Sequence, residues 1–278
     1  MDVAVGIVAQ RNNERAQTLA ATLVETIECE GARVVVDELT GEAVDATAVP
    51  VAAMTDRDLV VSIGGDGTLL FVAREVSPTP ILGVNLGEVG FLNAVAPDDA
   101  FAVVTDLVDG LEDPDTVERR ELARLQATGV DNDWTLEPAL NEVVVHGPRR
   151  GHGGGATIDV RVDGHQYAES HVDGVLVATP SGSTAYNLSE GGPLVHPSAD
   201  ALVVTQMAAT ESMPPLVLDP DTELTLTVTG ADTAYAISDG RNRQRLEPPA
   251  TVSISLADDS VTLVGPQANF FDGLDKLE

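Results

Sequence analysis

Lysine is almost absent from this 278-residue chain: Lys276 is the only one, and every other basic residue is arginine. Lys276 closes no glycine-rich loop, so a Walker A phosphate site is excluded. The same shortage removes a mid-chain lysine for a pyridoxal Schiff base or for the strand lysine of a protein kinase. The single cysteine, Cys29, permits no intrachain disulfide and no cysteine-based zinc cluster. Positive charge is scarce too: 15 Lys+Arg face 45 Asp+Glu, a formal net charge of −30. Nucleic acid and anionic membrane surfaces need a basic stripe, and this field has the opposite sign. No apolar run approaches the roughly 20 residues that span a bilayer, and no basic leader opens the chain. The expectation is a soluble cytoplasmic protein with small-molecule partners.

Aromatic residues make up only 3% of the chain. Acid-rich, lysine-poor composition built on small apolar residues points to a protein that works in high salt. At about 1 M salt the Debye length is near 3 Å, so surface self-repulsion is screened. Disorder is excluded, because hydrophobic residues reach 43% and mean hydropathy is +0.06.

The N-terminal stretch alternates strand and helix signals. Val3–Val8, Arg33–Asp37, Asp58–Ile63 and Ile81–Asn85 are short apolar runs, typical of parallel strands covered on both faces. Asn12–Asn13 cap a helix that Gly31 closes, and Pro97 with Asp98–Asp99 opens another ending near Gly110. This grammar predicts a Rossmann-like α/β domain over 1–115. Beyond it, Arg119–Thr128, Leu140–His146, Ala156–Asp163, Gly174–Thr179, Glu223–Thr229, Thr251–Leu256 and Val261–Val264 read as strands between Gly/Asp/Pro turns. They predict a β-rich domain over 116–265, with short helices at Ser183–Ser189 and Ser198–Met207. The remaining 266–278, apolar at Phe270–Phe271, reads as a C-terminal tail that returns to the first domain.

The strongest local signal is Gly64-Gly65-Asp66-Gly67-Thr68, directly after a predicted strand. Open α/β sheets place ligands at the carboxyl ends of strands, and glycines there let backbone N–H groups approach a phosphate. Thr68 caps the following helix or donates to an anion. Asp66 has two readings with a task, accepting a proton from an attacking hydroxyl or holding Mg²⁺ through water. The plainer reading is a helix N-cap. The second signal is Asp173–Pro197, where a strand exits into Ser181-Gly182-Ser183-Thr184-Ala185-Tyr186-Asn187. It offers small hydroxyl donors and one flat ring. No Gly-x-Ser-x-Gly elbow supports Ser183 or Thr184 as a hydrolase nucleophile. Asn141–Glu142 suits a ligand's polar edge or a plain turn. His146, His152, His165 and His196 show no metal-ligand spacing, and no protein-held metal is expected.

Together these segments resemble the NAD kinases over most of the chain. Gly64–Thr68 is similar to the family's GGDGT motif, Leu140–Val144 to its Asn-Glu motif, and Asp173–Pro197 to its TPTGSTAYNLSxGGP block; Gly83–Leu92 and Ser238–Gly240 resemble two further segments. GGDGT alone also occurs in lipid kinases; the GSTAY block behind it is far more specific. The resemblance implies a Rossmann-like domain plus a β-sandwich, in homodimers or homotetramers. It also implies transfer of a phosphoryl group from ATP or polyphosphate, with Mg²⁺ or another divalent cation, to the 2′-hydroxyl of NAD's adenosine ribose. Asp66 would be the catalytic carboxylate, Gly64, Gly65, Gly67 and Thr68 the phosphate cradle, and Gly67 a neighbour of NAD. Asn141 and Glu142 would hold ribose or nicotinamide-side hydroxyls. Asp173 would bind the adenine or the nicotinamide amide, from a neighbouring subunit in one arrangement. His171 and Asn187 would join the NAD site, and Thr184, Ala185, Tyr186 and Ser189 would line the adenosine pocket. A non-catalytic NAD(P)-binding regulator and a GGDGT lipid kinase are the alternatives.

Four positions depart from the family pattern. Glu88 stands where a basic or small residue is common, Arg241 where glutamine is, and His171 where arginine is; Gln206–Pro215 lacks a Pro-His-Ser sequence. Arg149–Arg150 and Arg241/Arg243/Arg245 are basic clusters in an acidic chain; one or both are expected to line the substrate channel, and the plainer reading is a pair of solvated surface turns. The charge itself gives the first prediction: stability and activity rise together with KCl, read as unfolding midpoint and turnover. An optimum in dilute buffer would remove the high-salt reading.

Overall fold

The computed structural model describes residues 3–87, 91–111, 117–149, 151, 154–267 and 269–274. Glu88, Arg150, His152 and Lys276 lie outside the described residues. The chain divides into two compact units, Met1–Leu122 with Asp259–Glu278, and Ala123–Asp258.

The first unit opens with β1 (Ala4–Ala9), α1 (Glu14–Cys29), β2 (Arg33–Asp37), the single turn α2 (Glu38–Gly41) and the two-residue β3 (Ala48–Val49). After a 3₁₀ turn at Val51–Met54 come β4 (Leu59–Gly64), α3 (Asp66–Val76), β5 (Ile81–Asn85), α4 (Ala100–Gly110) and β6 (Arg119–Leu122). Asn13 caps α1 by accepting the N–H groups of Arg15 and Ala16, and Gly31 at φ +85° ends it. Every residue of β1, β4 and β5 is buried, as expected for parallel strands covered on both faces. Helices α1 and α4 share one apolar cluster with Val5, Ile7, Leu59, Val61 and Ile63. The sheet order begins β3-β2-β1-β4-β5, the doubly wound arrangement.

The second unit runs β7 (Leu125–Gly129), β8 (Glu142–His146), β9 (Ala156–Val162), β10 (His165–Val172), β11 (Gly174–Ala178), a 3₁₀ turn at Ser181–Thr184, α5 (Tyr186–Ser189) and β12 (Leu202–Met207). It ends with β13 (Leu216–Leu218), β14 (Leu224–Thr229), β15 (Ala234–Ser238), β16 (Asn242–Leu246) and β17 (Ala250–Leu256). Two antiparallel sheets form, β10-β9-β14-β17-β7 and β13-β12-β11-β8-β15-β16. Ile158, Val160, Leu226 and Ile254 of one sheet meet Val143, Val145, Val177 and Ala236 of the other in one core, so the unit is a β-sandwich. The outer face of the six-stranded sheet carries Val144, Leu176, Ala178 and Val203, and Tyr186 and Val195 cover it. The chain then returns to the first unit with β18 (Val261–Val264), which pairs parallel to β5 and antiparallel to β6, and with α6 (Phe270–Leu274).

The observed divisions fall at 122/123 and 258/259, where the sequence pattern places them at 115/116 and 265/266. The run Arg119–Thr128 is two strands in different sheets, and Val261–Val264 pairs with β5 and β6. A strand's own residues do not record its partner. The helix expected at Ser198–Met207 is corrected: Leu202–Met207 is β12, paired to β11 and β13. Its apolar run hides the alternation because both faces are buried. The tail does return to the first unit, where the Phe270 ring lies 5.8 Å from that of Phe91. Leu176, fully buried beneath the covering segment, gives the second prediction. Replacing it with alanine should cost about 2–5 kcal/mol of unfolding free energy, read from the urea midpoint.

Candidate active site

In the first unit, β4 runs without a break into α3. Gly65, extended at φ −92°, is the cap residue, no side chain caps the helix, and Asp66 is its first helical residue. The N-cap reading of Asp66 therefore fails. Its carboxylate turns instead to the segment after β5, accepting N–H groups of Phe91 (3.1 Å) and Asn93 (3.3 Å) and the Asn93 side-chain amide (3.1 Å). These donors fix where the carboxylate points. The glycines divide in role. A Cβ on Gly64 would stand 2.4 Å from Thr68 Oγ1, so Gly64 is needed for close packing. At Gly65 and Gly67 a Cβ would meet nothing within 4 Å. Bare backbone there faces open space at the N-terminus of an 11-residue helix, an arrangement suited to an anion. The turn also leaves β4 beside β1, where the sheet order reverses, and the Gln10 N–H bonds Ile63 O across that boundary (2.8 Å). Doubly wound sheets bind ligands at this switch point.

In the second unit, Asn141 immediately precedes β8, Glu142 is its first residue, and they are only 9% and 8% exposed. Asp239, in the β15–β16 turn at φ +44°, accepts the backbone N–H groups of Leu140 (2.8 Å), Asn141 (2.8 Å) and Glu142 (3.2 Å). With those donors taken, Asn141 Oδ1 and Glu142 Oε2 are buried without a partner among the described residues. Burial, then the nearby Asp239 carboxylate, push the Glu142 carboxyl up to about 7, against the pull of the Tyr186 backbone N–H.

The Ser181–Asn187 segment is fastened over this pair. Thr179 Oγ1 donates to Leu140 O (2.6 Å) and accepts the Gly182 N–H (3.1 Å). A Cβ on Gly182 would stand 2.0 Å from Asn141 O, so only glycine lets the segment cross there. Asn187 is fully buried, its amide donating to Ser183 O (3.2 Å) and Pro193 O (3.0 Å) and accepting from the Thr205 hydroxyl (2.8 Å). The sequence offers Asn187 as a ligand contact; its polar atoms instead hold the segment together. Thr184, Ala185 and Tyr186 are half-buried and Ser189 is exposed.

Asp173 and His171 lie elsewhere. In the β8–β11 register Glu142 faces Ala178 while His146 faces Gly174. Asp173, one residue before Gly174, thus sits at the far end of the strand pair, roughly 16 Å away at about 3.3 Å per residue. There its carboxylate accepts the Gly151 N–H (2.9 Å), and the His171 ring meets Gly154 O (2.9 Å). Sequence reasoning assigned no role to Asp239 or Asn93; the Ser-Asp-Gly turn was the available signal for the first, and nothing local marked the second.

A doubly wound unit with an open glycine turn at its switch point, in one chain with a β-sandwich that buries an Asn–Glu pair with one side-chain oxygen of each left without a partner among the described residues, defines a nucleotide-binding enzyme of two domains. Family models agree on which: the ATP-NAD kinase N-terminal domain matches residues 5–111 and the C-terminal domain residues 140–265. NAD kinases of Haloarcula marismortui and Halobacterium salinarum are 52% and 51% identical, covering 98% and 99% of this chain and 99% of each relative. A crystal structure of yeast NADH kinase complexed with NADH matches with TM-score 0.86 at 22% identity, over 99% of this chain and 87% of that one. An Archaeoglobus fulgidus NAD kinase in complex with ATP matches at TM-score 0.74 and 22% identity, over 94% and 93%. The chain belongs to the NAD kinase family.

The raised Glu142 carboxyl gives the third prediction. The folded state holds a proton that the unfolded chain releases near pH 4.5, so this group's stabilisation is full below 4.5 and lost as pH rises through about 7. Glu142→Gln should flatten the fall in unfolding midpoint across that window; an unchanged slope would show that another group carries it.

Proposed function

We propose that this chain phosphorylates the 2′-hydroxyl of NAD's adenosine ribose, with ATP as donor, to give NADP. The observation that carries the reading is the pair of buried oxygens, Asn141 Oδ1 and Glu142 Oε2, that have no partner among the described residues, in a member of the NAD kinase family. Buried polar atoms left without partners are costly, and a ligand's hydroxyl or amide donors offset that cost. Asn141 and Glu142 take those donors, and Thr184, Ala185, Tyr186 and Ser189 line the adenosine side. Asp173 and His171 serve a ligand held by a neighbouring copy in a homo-oligomer. Asn187 supports the pocket without touching the ligand.

A secondary hydroxyl is a weak nucleophile, and phosphoryl transfer depends on positioning and charge neutralisation. The ribose oxygen bonds to the γ-phosphorus, the bond from that phosphorus to the ADP oxygen breaks, and the hydroxyl proton passes to Asp66. The three donors from Phe91 and Asn93 keep its carboxylate in place for that proton. Backbone N–H groups of the Gly64–Thr68 turn face the phosphates. Among the described residues no three His, Cys, Asp or Glu side chains gather as metal ligands. A divalent cation bound with the donor would supply charge neutralisation on its phosphate oxygens, and Asp66 is the carboxylate of the glycine turn that would hold it. No helix among the described residues is long and apolar enough to cross a membrane.

The test is formation of NADP from NAD, ATP and Mg²⁺ in molar KCl. Asp66→Asn should lower kcat by about 10²–10⁴-fold while NAD affinity, by calorimetry, stays within about threefold, roughly 0.6 kcal/mol. Substantial residual turnover would remove Asp66 as the proton acceptor.

A further inference from the structure

β16 is an edge strand of the six-stranded sheet. Along it Asn242 and Gln244 are half-buried while Arg243 and Arg245 are exposed, and Arg241, just before the strand, is exposed too. Residues two apart on a strand share a face and stand about 7 Å apart. The register fixes which face. Arg245 pairs with Tyr235, which pairs with His146; Arg243 pairs with Ile237, which pairs with Val144. Val144 belongs to the outer face that Tyr186 covers. At the end of the same rows the Asp239 N–H bonds Glu142 O (3.0 Å), and Arg241 follows two residues later. Arg243 and Arg245 therefore stand on the same side of the sheet as the line Glu142–Val144–His146, separated from it by β15, and Arg241 leaves the turn that bonds Glu142.

What these arginines touch is as informative as where they stand. The Arg243 guanidinium lies 3.3 Å over the Tyr235 ring, whose centroid is 5.5 Å from that of His146. None of the three is within ion-pair distance of a carboxylate among the described residues, in a chain with 45 acidic residues. Two acids are near in sequence. The Asp239 carboxylate is committed to three backbone N–H groups, and Glu247 is exposed beyond the strand. In molar salt the Debye length is near 3 Å, so a cation acts on a ligand only by touching it. Guanidinium groups grip phosphate oxygens in pairs of hydrogen bonds, which gives contact-range affinity.

We propose that Arg241, Arg243 and Arg245 form a docking strip for the phosphoanhydride chain of a nucleotide substrate beside the Asn141–Glu142 pocket. This rests on the kinase reading for its biological ligand, and the chemistry recognised is the phosphate chain of either the donor triphosphate or the dinucleotide. The strip supplies the cationic contacts that a chain with one lysine takes from elsewhere than lysine.

Inorganic tripolyphosphate is the probe, titrated calorimetrically in 1 M KCl into the full chain. The wild type should bind it, R243Q/R245Q should weaken binding at least tenfold, and R15Q, on the exposed side of α1, should stay within twofold. Arg245→Gln alone leaves the Arg243–Tyr235 stack intact, and should weaken binding at least threefold. In steady-state kinetics the double variant should raise KM with kcat within twofold. A rise for ATP alone assigns the strip to the donor, and a rise for NAD alone assigns it to the acceptor. Tripolyphosphate affinity unchanged in both glutamine variants, or absent in the wild type, overturns the proposal. A wild type that binds tripolyphosphate through these arginines yet forms no NADP would sink the kinase reading and leave the strip standing.

Discussion

The backbone N–H groups of Leu140, Asn141 and Glu142 converge on the carboxylate of Asp239, a residue about a hundred positions later in the chain. Hydrogen bonds to a charged acceptor are each worth about 1.5–3 kcal/mol when shielded from water. Their geometric effect matters more here. They fasten the β15–β16 turn to the start of β8, and so set the depth at which the Asn141 and Glu142 side chains lie. They also consume the donors that would otherwise serve the Glu142 carboxylate, and place a second negative charge beside it. The polarity of the pocket follows: one carboxylate satisfied and fixed, the other buried, with an oxygen that has no partner among the described residues. The Thr179–Gly182 crossing, with no space for a side chain at Gly182, then lays the Ser181–Asn187 segment over the pair.

On the proposed reading the two units would approach anions by different means. The α/β unit uses absence: two glycines without side chains, one helix terminus, and a carboxylate immobilised by its neighbours. The sandwich uses side chains on a sheet face whose apolar rows provide a level floor. Both are local devices, which suits a chain carrying −30 in a solvent where only contact matters. A lysine-poor surface loses little by this, because steering from a distance is weak in concentrated salt.

Much of this organisation was legible in the chain itself. β2 and β5 occupy the residues their apolar runs predict, Asn13 and Gly31 bound α1 as their chemistry requires, and the glycine turn lies where a strand gives way to a helix. Legibility ended where information is non-local. Nothing within Val261–Val264 says that its neighbours are β5 and β6, and nothing in Leu202–Met207 separates a strand buried on both faces from a short helix. Asn187 reads as a ligand contact because it stands in the most distinctive segment of the chain. Its three partners, Ser183, Pro193 and Thr205, show that part of such a segment is distinctive for holding its own shape. Asp239 was visible only as a turn residue, since its work is done on backbone from another strand.

β18 lies between β5 and β6, and among the described residues β6 has no other sheet neighbour. The sandwich is one uninterrupted stretch of chain, while the α/β unit is assembled from both ends. During synthesis the sandwich can close its antiparallel pairs as it emerges, and the earlier-made unit must wait for residues beyond it. The sheet of the first half translated receives a strand from the end of the chain. Until Val261–Val264 arrives, β6 is an unpaired strand on a nascent chain, and an open strand edge invites pairing with another chain. The order of assembly, as well as the final geometry, is thereby written into one four-residue strand near the C-terminus.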